Sequence, residues 1–138
     1  MKLDKNHHSV FLLYYHLVIV VKYRRKVITD EISSFAKSIF IKIGLQYGVT
    51  LEEWDHDVDH VHIMFKARPD SQLSKFIGVF KSSSSRLIKQ HFSVSRMLWK
   101  KMFWSRSFCL LSTGGAPILT IRRYIEDQGQ THAQNEKK

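Results

Sequence analysis

The sequence predicts an α+β domain of the ferredoxin-like, split βαβ type: an antiparallel sheet with helices on one face and an added C-terminal helix. Three observations carry that expectation. Runs rich in β-branched residues exchange with segments of helical spacing in the order β-α-β-β-α-β-α. The segment His60 to Lys66 sets Val61, Ile63 and Phe65 alternately against His60, His62 and Met64, the mark of a strand with one buried and one open face. The chain of 138 residues, 43% of them hydrophobic, can build one core but not two. A single domain over residues 1–130 is therefore expected, followed by a polar, flexible tail over 131–138.

Val10 to Val21 is apolar without alternation, as in a central strand covered on both faces. It carries Tyr14, Tyr15 and His16, lacks a small-residue cleavage site and is too short to span a bilayer, so neither a signal peptide nor a membrane segment is expected. Thr29 or Asp30 can cap a helix running to about Tyr47, with Ile32, Phe35, Ile39, Ile43 and Gln46 near one face and Gly48 just past the end. Val49 to about Asp55 reads as the second strand, and the acidic cluster through Asp59 as a turn. In the third strand, His60 to Lys66, Val61, Ile63 and Phe65 face one way while His60, His62 and Met64 face the other. After Pro69, the segment Ser71 to about His91 sets Leu73, Phe76, Ile77, Phe80, Leu87 and Ile88 at helical spacing, with Ser82 to Ser85 weakening its middle. Arg106 to Ser112 is a fourth short strand. Gly114-Gly115 then breaks the chain before a last helix that begins at Pro117.

The charge balance narrows the partners. Twenty-two Lys and Arg against twelve Asp and Glu give +10, which attracts a polyanion such as nucleic acid or a membrane surface. Between Lys66 and Arg106 stand ten basic residues and only Asp70 as an acid, interleaved with Phe76, Phe80, Phe92, Trp99, Phe103 and Trp104. The aromatics either stack on bases or fill the core behind a solvated basic face. Lys22, Arg24, Arg25, Lys81 and Arg86 are candidate phosphate contacts, against a plain reading as surface charge. Cys109 is the only cysteine, which leaves no internal disulfide and no cysteine-rich zinc site and points to a reducing, cytoplasmic setting. Among the acids Glu52, Glu53, Asp55, Asp57 and Asp59, a solubilising role is the ordinary one and an extra metal ligand the alternative.

Two pairs of side chains invite chemistry. His60 and His62, two apart in a strand, project to the same side and can share one cation, or are simply surface histidines of a two-faced strand. Tyr124 and Gln128, four apart in the last helix, lie one turn apart beside the stripe Ile118, Ile121 and Ile125. By periodicity alone Tyr124 is an amphipathic boundary residue.

His60-Val61-His62 resembles the HUH motif, histidine-hydrophobic-histidine, and Tyr124-Ile125-Glu126-Asp127-Gln128 resembles the tyrosine-helix motif of the small single-tyrosine transposases. These belong to bacterial and archaeal insertion sequences that move as single-stranded DNA. The resemblance extends to Tyr15-His16-Leu17-Val18, Lys22-Tyr23-Arg24 and Asp59, and to Trp104-Ser105 through Ser112-Thr113-Gly114-Gly115; Asp127 departs from the asparagine common in the motif. The resemblance implies that His60, His62 and Gln128 hold a divalent metal and that Tyr124 attacks DNA to form a 5′-phosphotyrosine; a mixed N/O ligand set with open positions suits Mg²⁺ or Mn²⁺, although imidazole would also accept zinc or nickel. The resemblance also implies single-stranded DNA with hairpins at the element ends as the substrate. Finally, it implies a homodimer paired through an edge strand near Phe108 to Leu111, pivoting at Gly114-Gly115, with each site shared between subunits. Two other readings are a domesticated single-tyrosine endonuclease and a non-catalytic nucleic-acid-binding module of the same fold.

Overall fold

The computed structural model describes residues 13–98, 102–112 and 122–128. Its elements follow the expected order: β1 (Leu13–Val20), α1 (Asp30–Tyr47), β2 (Val49–His56), β3 (His60–Ala67), α2 (Leu73–His91), β4 (Cys109–Ser112) and a helix α3 whose described residues are 122–128. The strands make one antiparallel sheet in the order β2-β3-β1-β4, so β3 lies between β1 and β2 and splits the βαβ unit. Val10 to Leu12, the Gly114-Gly115 break, the helix start at Pro117 and the tail over 131–138 lie outside the described residues.

Helix α1 forms where its ends are satisfied. The Thr29 hydroxyl accepts from the Ile32 N–H at 3.2 Å, and Asp30 and Glu31 place negative charge against the helix N-terminus. Gly48, at φ 68° and ψ 30°, closes the other end in the left-handed conformation that costs glycine little. The chain then turns straight into β2. A Cβ on Gly44 would sit 2.8 Å from the Val49 carbonyl oxygen, so this close return of the strand onto its helix requires a glycine.

The core lies between one sheet face and the two helices. Val61, Ile63, Phe65 and Ala67 of β3 point into it, and Leu17 and Ile19 of β1 join them. Phe40 of α1 sits at the centre, with the rings of Phe76, Phe80, Phe65 and Trp54 at 5.0 to 5.9 Å, mostly edge-on.

Helix α2 runs unbroken through the serines expected to weaken it. Ser84 is fully buried; its hydroxyl donates to the Lys81 carbonyl at 3.3 Å and accepts from Trp104 Nε1 at 2.9 Å. The serine run thus includes the point where the chain before β4 is tied to α2.

Two further expectations change, and the open choice over the aromatics is decided for the core at four positions. Only Leu17 to Val20 of β1 are buried on both faces; Leu13 is exposed and Tyr14 to His16 are half-buried. Phe76, Phe80, Phe103 and Trp104 are core residues and unavailable for stacking on bases, while Phe92 is half-buried against Phe35; Trp99 lies outside the described residues. The fourth strand is shorter than Arg106 to Ser112, because the chain first meets β1 through a Val21–Trp104 bridge and regains regular pairing only at Cys109.

Candidate active site

The face of the sheet away from the helices carries the candidate chemistry. In β3, His60 stands opposite Val20 and His62 opposite Val18, so both imidazoles and both valines share this face. His16, two residues before Val18, joins them: its Nδ1 lies 3.3 Å from His62 Nε2, with the rings 5.4 Å apart and 23° from parallel.

His60 is held from the other direction. Its Nδ1 is 2.8 Å from one oxygen of Asp59, and the second oxygen accepts from Arg24 Nε, also at 2.8 Å. Asp59 is only 4% exposed. Burial alone would raise its pKa, but the hydrogen bonds from His60 and Arg24, with their charges, outweigh that and hold the carboxyl below its ordinary value. The local backbone serves this contact. Tyr23 and Arg24, both at φ 56°, occupy the left-handed region, which costs a non-glycine residue about 1–2 kcal/mol; the Val21 N–H is bonded to the Asp59 carbonyl at 2.8 Å.

His62 titrates below its ordinary value. Burial is the main cause and His16 adds to it, partly opposed by Asp55. The ring is therefore neutral at neutral pH, the state in which an imidazole binds a metal. Among the described residues no three His, Cys, Asp or Glu side chains form a group that could hold a metal. Two imidazoles nevertheless fit a divalent cation if a donor of another type completes the set, and an amide oxygen is such a donor.

Gln128 and Tyr124 come together on α3 and dock on the chain leading into β4. Ser105 donates to Gln128 Oε1 at 2.6 Å, Gln128 Nε2 donates to the Ser107 hydroxyl at 3.4 Å, and that hydroxyl is 2.9 Å from the Tyr124 hydroxyl. Trp104 turns into the core beside Phe80, so Ser105 faces the other way, onto the histidine face, with its N–H on the Val20 carbonyl at 2.8 Å. The tyrosine pair and the histidine pair therefore lie on one face, anchored on either side of β1 about 10 Å apart at the backbone. Among the described residues no hydrogen bond joins the two pairs. Burial, with a smaller contribution from Cys109, raises the Tyr124 pKa, while the Ser107 hydrogen bond pulls the other way; the group is a neutral phenol.

The candidate phosphate contacts are distributed unevenly. Arg24 is engaged by Asp59, and Lys22 stacks its ammonium 4.8 Å from the Tyr23 ring centre. Lys81 donates to the Arg106 carbonyl at 2.7 Å, and burial, then Lys22, lowers its pKa. Arg86 is exposed and Arg25 half-buried. Lys81, Lys89, Ser82, Ser85, Trp104 and Arg106 line a cleft of about 550 Å³ between α2 and the chain before β4.

Sequence reasoning missed Asp59 as a partner of His60, and gave no role to His16, Ser105 or Ser107. Asp59 had one signal, its position directly before the histidine strand. His16 had another, since period-two alternation puts it on the face of Val18 and Val20.

This layout, two histidines on the open face of a ferredoxin-like sheet and a tyrosine on an appended helix, defines a single-tyrosine transposase of the HUH class. The chain belongs to the IS200-like transposase family, whose model matches residues 9–128. It is 30% identical over 129 residues to the ISDra2 transposase TnpA of Deinococcus radiodurans, covering 93% of this chain and 92% of that protein. To the transposase for insertion sequence element IS200 of Salmonella typhimurium it is 29% identical over 115 residues, 83% of this chain and 75% of that one. A crystal structure from Deinococcus radiodurans described as a transposase superposes with a TM-score of 0.81 at 30% identity, covering 91% of this chain and 97% of the other. A REP-associated tyrosine transposase bound to a REP hairpin shares the fold, with a TM-score of 0.58 at 10% identity over 88% of this chain and 67% of its own. Family membership makes this chain a DNA strand-transfer enzyme. Among the described residues no helix is long and apolar enough to cross a membrane.

Proposed function

We propose that this transposase cleaves and rejoins single-stranded DNA at the ends of an insertion sequence, in the cytoplasm, with Tyr124 as nucleophile and a divalent metal, Mg²⁺ or Mn²⁺, at His60, His62 and Gln128. One observation carries the reading: Tyr124 and Gln128 dock together on the sheet face that also presents two imidazoles, one of them held neutral. A bound divalent cation would neutralise and orient the scissile phosphate.

The chain's own residues supply the rest. The Tyr124 oxygen forms a bond to phosphorus as the bond from phosphorus to the 3′ oxygen breaks. The phenol proton passes to solvent and the departing 3′ oxygen takes one up. The phosphodiester is conserved as a 5′-phosphotyrosine, so a free 3′ hydroxyl can reverse the step without ATP. Lys22, Arg25, Lys81 and Arg86 hold the DNA backbone by charge, and the basic cleft beside α2 receives the hairpin. A relative of this fold solved with a REP hairpin supports hairpin recognition.

The test is a covalent one. Tyr124→Phe protein should bind single-stranded DNA from the flanks of its own gene as wild type does, yet form no adduct stable to denaturing gel electrophoresis; an adduct that persists removes Tyr124 from the role.

The dimer belongs to the same proposal. Strand β4 is an edge strand, paired only with β1 among the described residues, and offers its outer edge to a second copy. Within one chain α3 packs on its own Ser105 and Ser107, so a site shared between subunits requires the helix to leave them. Mixing His60→Ala with Tyr124→Phe protein should restore cleavage through hybrid dimers. No recovery despite demonstrated subunit exchange would mean that histidines and tyrosine act within one chain.

A further inference from the structure

The five acids before the histidine strand are not equivalent. Glu52, Glu53, Asp55 and Asp57 are exposed; Asp59 alone is buried. Both of its carboxylate oxygens are engaged at 2.8 Å, one by Arg24 Nε and one by His60 Nδ1. A carboxylate between two such groups can only accept, so the ring nitrogen facing it must carry the proton. In the neutral ring that leaves the lone pair of His60 on Nε2, away from Asp59.

The surroundings make this arrangement rigid. The Asp59 carbonyl is bonded to the Val21 N–H, which fixes its backbone beside the end of β1. The next residues place Tyr23 and Arg24 in the left-handed region in succession, a conformation side-chain-bearing residues adopt when surrounding contacts compel it. Tyr23 is buried, and Arg24 directs its guanidinium inward to Asp59. Of the two roles open to Arg24, the contact with Asp59 accounts for the turn; a solvent-facing phosphate contact would not require it.

We infer that Asp59, steadied by Arg24, is a positioning residue that locks His60 in the Nδ1–H tautomer and so presents Nε2 as a ready metal donor. The metal part of this inference rests on the reading of His60 as a ligand given under Proposed function; the tautomer does not. Outer carboxylates of this kind change metal affinity by about 10- to 100-fold when removed from a ligand histidine.

The experiment has two arms. In metal-free, DNA-free protein, long-range ¹H–¹⁵N correlation spectra assign the protonated nitrogen of His60. Wild type should show Nδ1–H, and Asp59→Ala should shift His60 toward Nε2–H while His62→Ala leaves it unchanged. In the second arm Mn²⁺ alone is titrated by calorimetry and electron paramagnetic resonance. Asp59→Ala should weaken binding by about tenfold or more, Arg24→Gln by less, and the double variant no further than Asp59→Ala, because Arg24 acts through Asp59. Thermal unfolding checks each variant. Should Asp59→Ala fail to fold, the wild-type tautomer and Arg24→Gln still decide the matter.

Wild-type His60 protonated on Nε2 overturns the inference. So does a folded Asp59→Ala protein with unchanged Mn²⁺ affinity. Wild-type protein that takes up no Mn²⁺ with His60 in the Nδ1–H tautomer overturns the metal reading and the donor role, while upholding Asp59 as the lock on the ring.

Discussion

The two halves of the candidate site are built on different terms. The histidine half grows from β3, whose inner face is the floor of the core; behind His60 and His62 lie Val61, Ile63 and Phe65, each at most 1% exposed. Its rings have partners in Asp59 and His16 that stand on the sheet or at its end. The tyrosine half is a helix resting on two serine hydroxyls, and none of its described residues is buried. The contrast teaches where rigidity is needed. On the proposed function, a metal site would depend on fixed donor positions, whereas a nucleophile that carries a DNA strand and later releases it would have to move.

Substitutions on each side should expose that contrast. Phe65→Ala, directly behind the histidines, should lower stability by about 3–5 kcal/mol, read by urea denaturation; a loss below about 1 kcal/mol would show that β3 is not the rigid half. Trp104→Phe keeps most of the ring but removes the Nε1–H donated to buried Ser84, the tie between α2 and the chain that seats α3. A loss of about 1 kcal/mol is expected by the same measurement, and none at all would mean that the tie is not structural. Ser107→Ala should change stability least, by no more than about 0.5 kcal/mol. Because the Ser107 hydrogen bond is the contribution that lowers the Tyr124 pKa, its loss should move the phenol titration upward, measured by ¹³C NMR of the labelled tyrosine ring; a downward move would invert the role given to Ser107.

The same division governs how much was legible in the sequence. Strand β3 could be read almost residue by residue, because strict alternation is a local signal and burial follows it. The α1 boundaries were legible for a similar reason, since Thr29 and Gly48 are local caps. The Asp59–Arg24 contact was not, because it joins residues 35 apart through a turn of unusual backbone that no periodicity announces. Ser84 was misjudged because intrinsic propensity counted against it, while the contact that justifies it comes from Trp104, twenty positions away. Tyr124 and Gln128 were legible as a pair through helical spacing, but what they rest on depends on how the chain before β4 crosses the end of β1.

The place of β4 at the edge has a metrical consequence. If two copies join through that edge, the strands run β3-β1-β4 in one chain and β4-β1-β3 in the next, so the two histidine strands stand five spacings apart. At the usual distance between neighbouring strands this is about 24 Å. The sheet would then act as a ruler, and the interval between two cuts made by one dimer would be set by the number of strands between the histidine pairs.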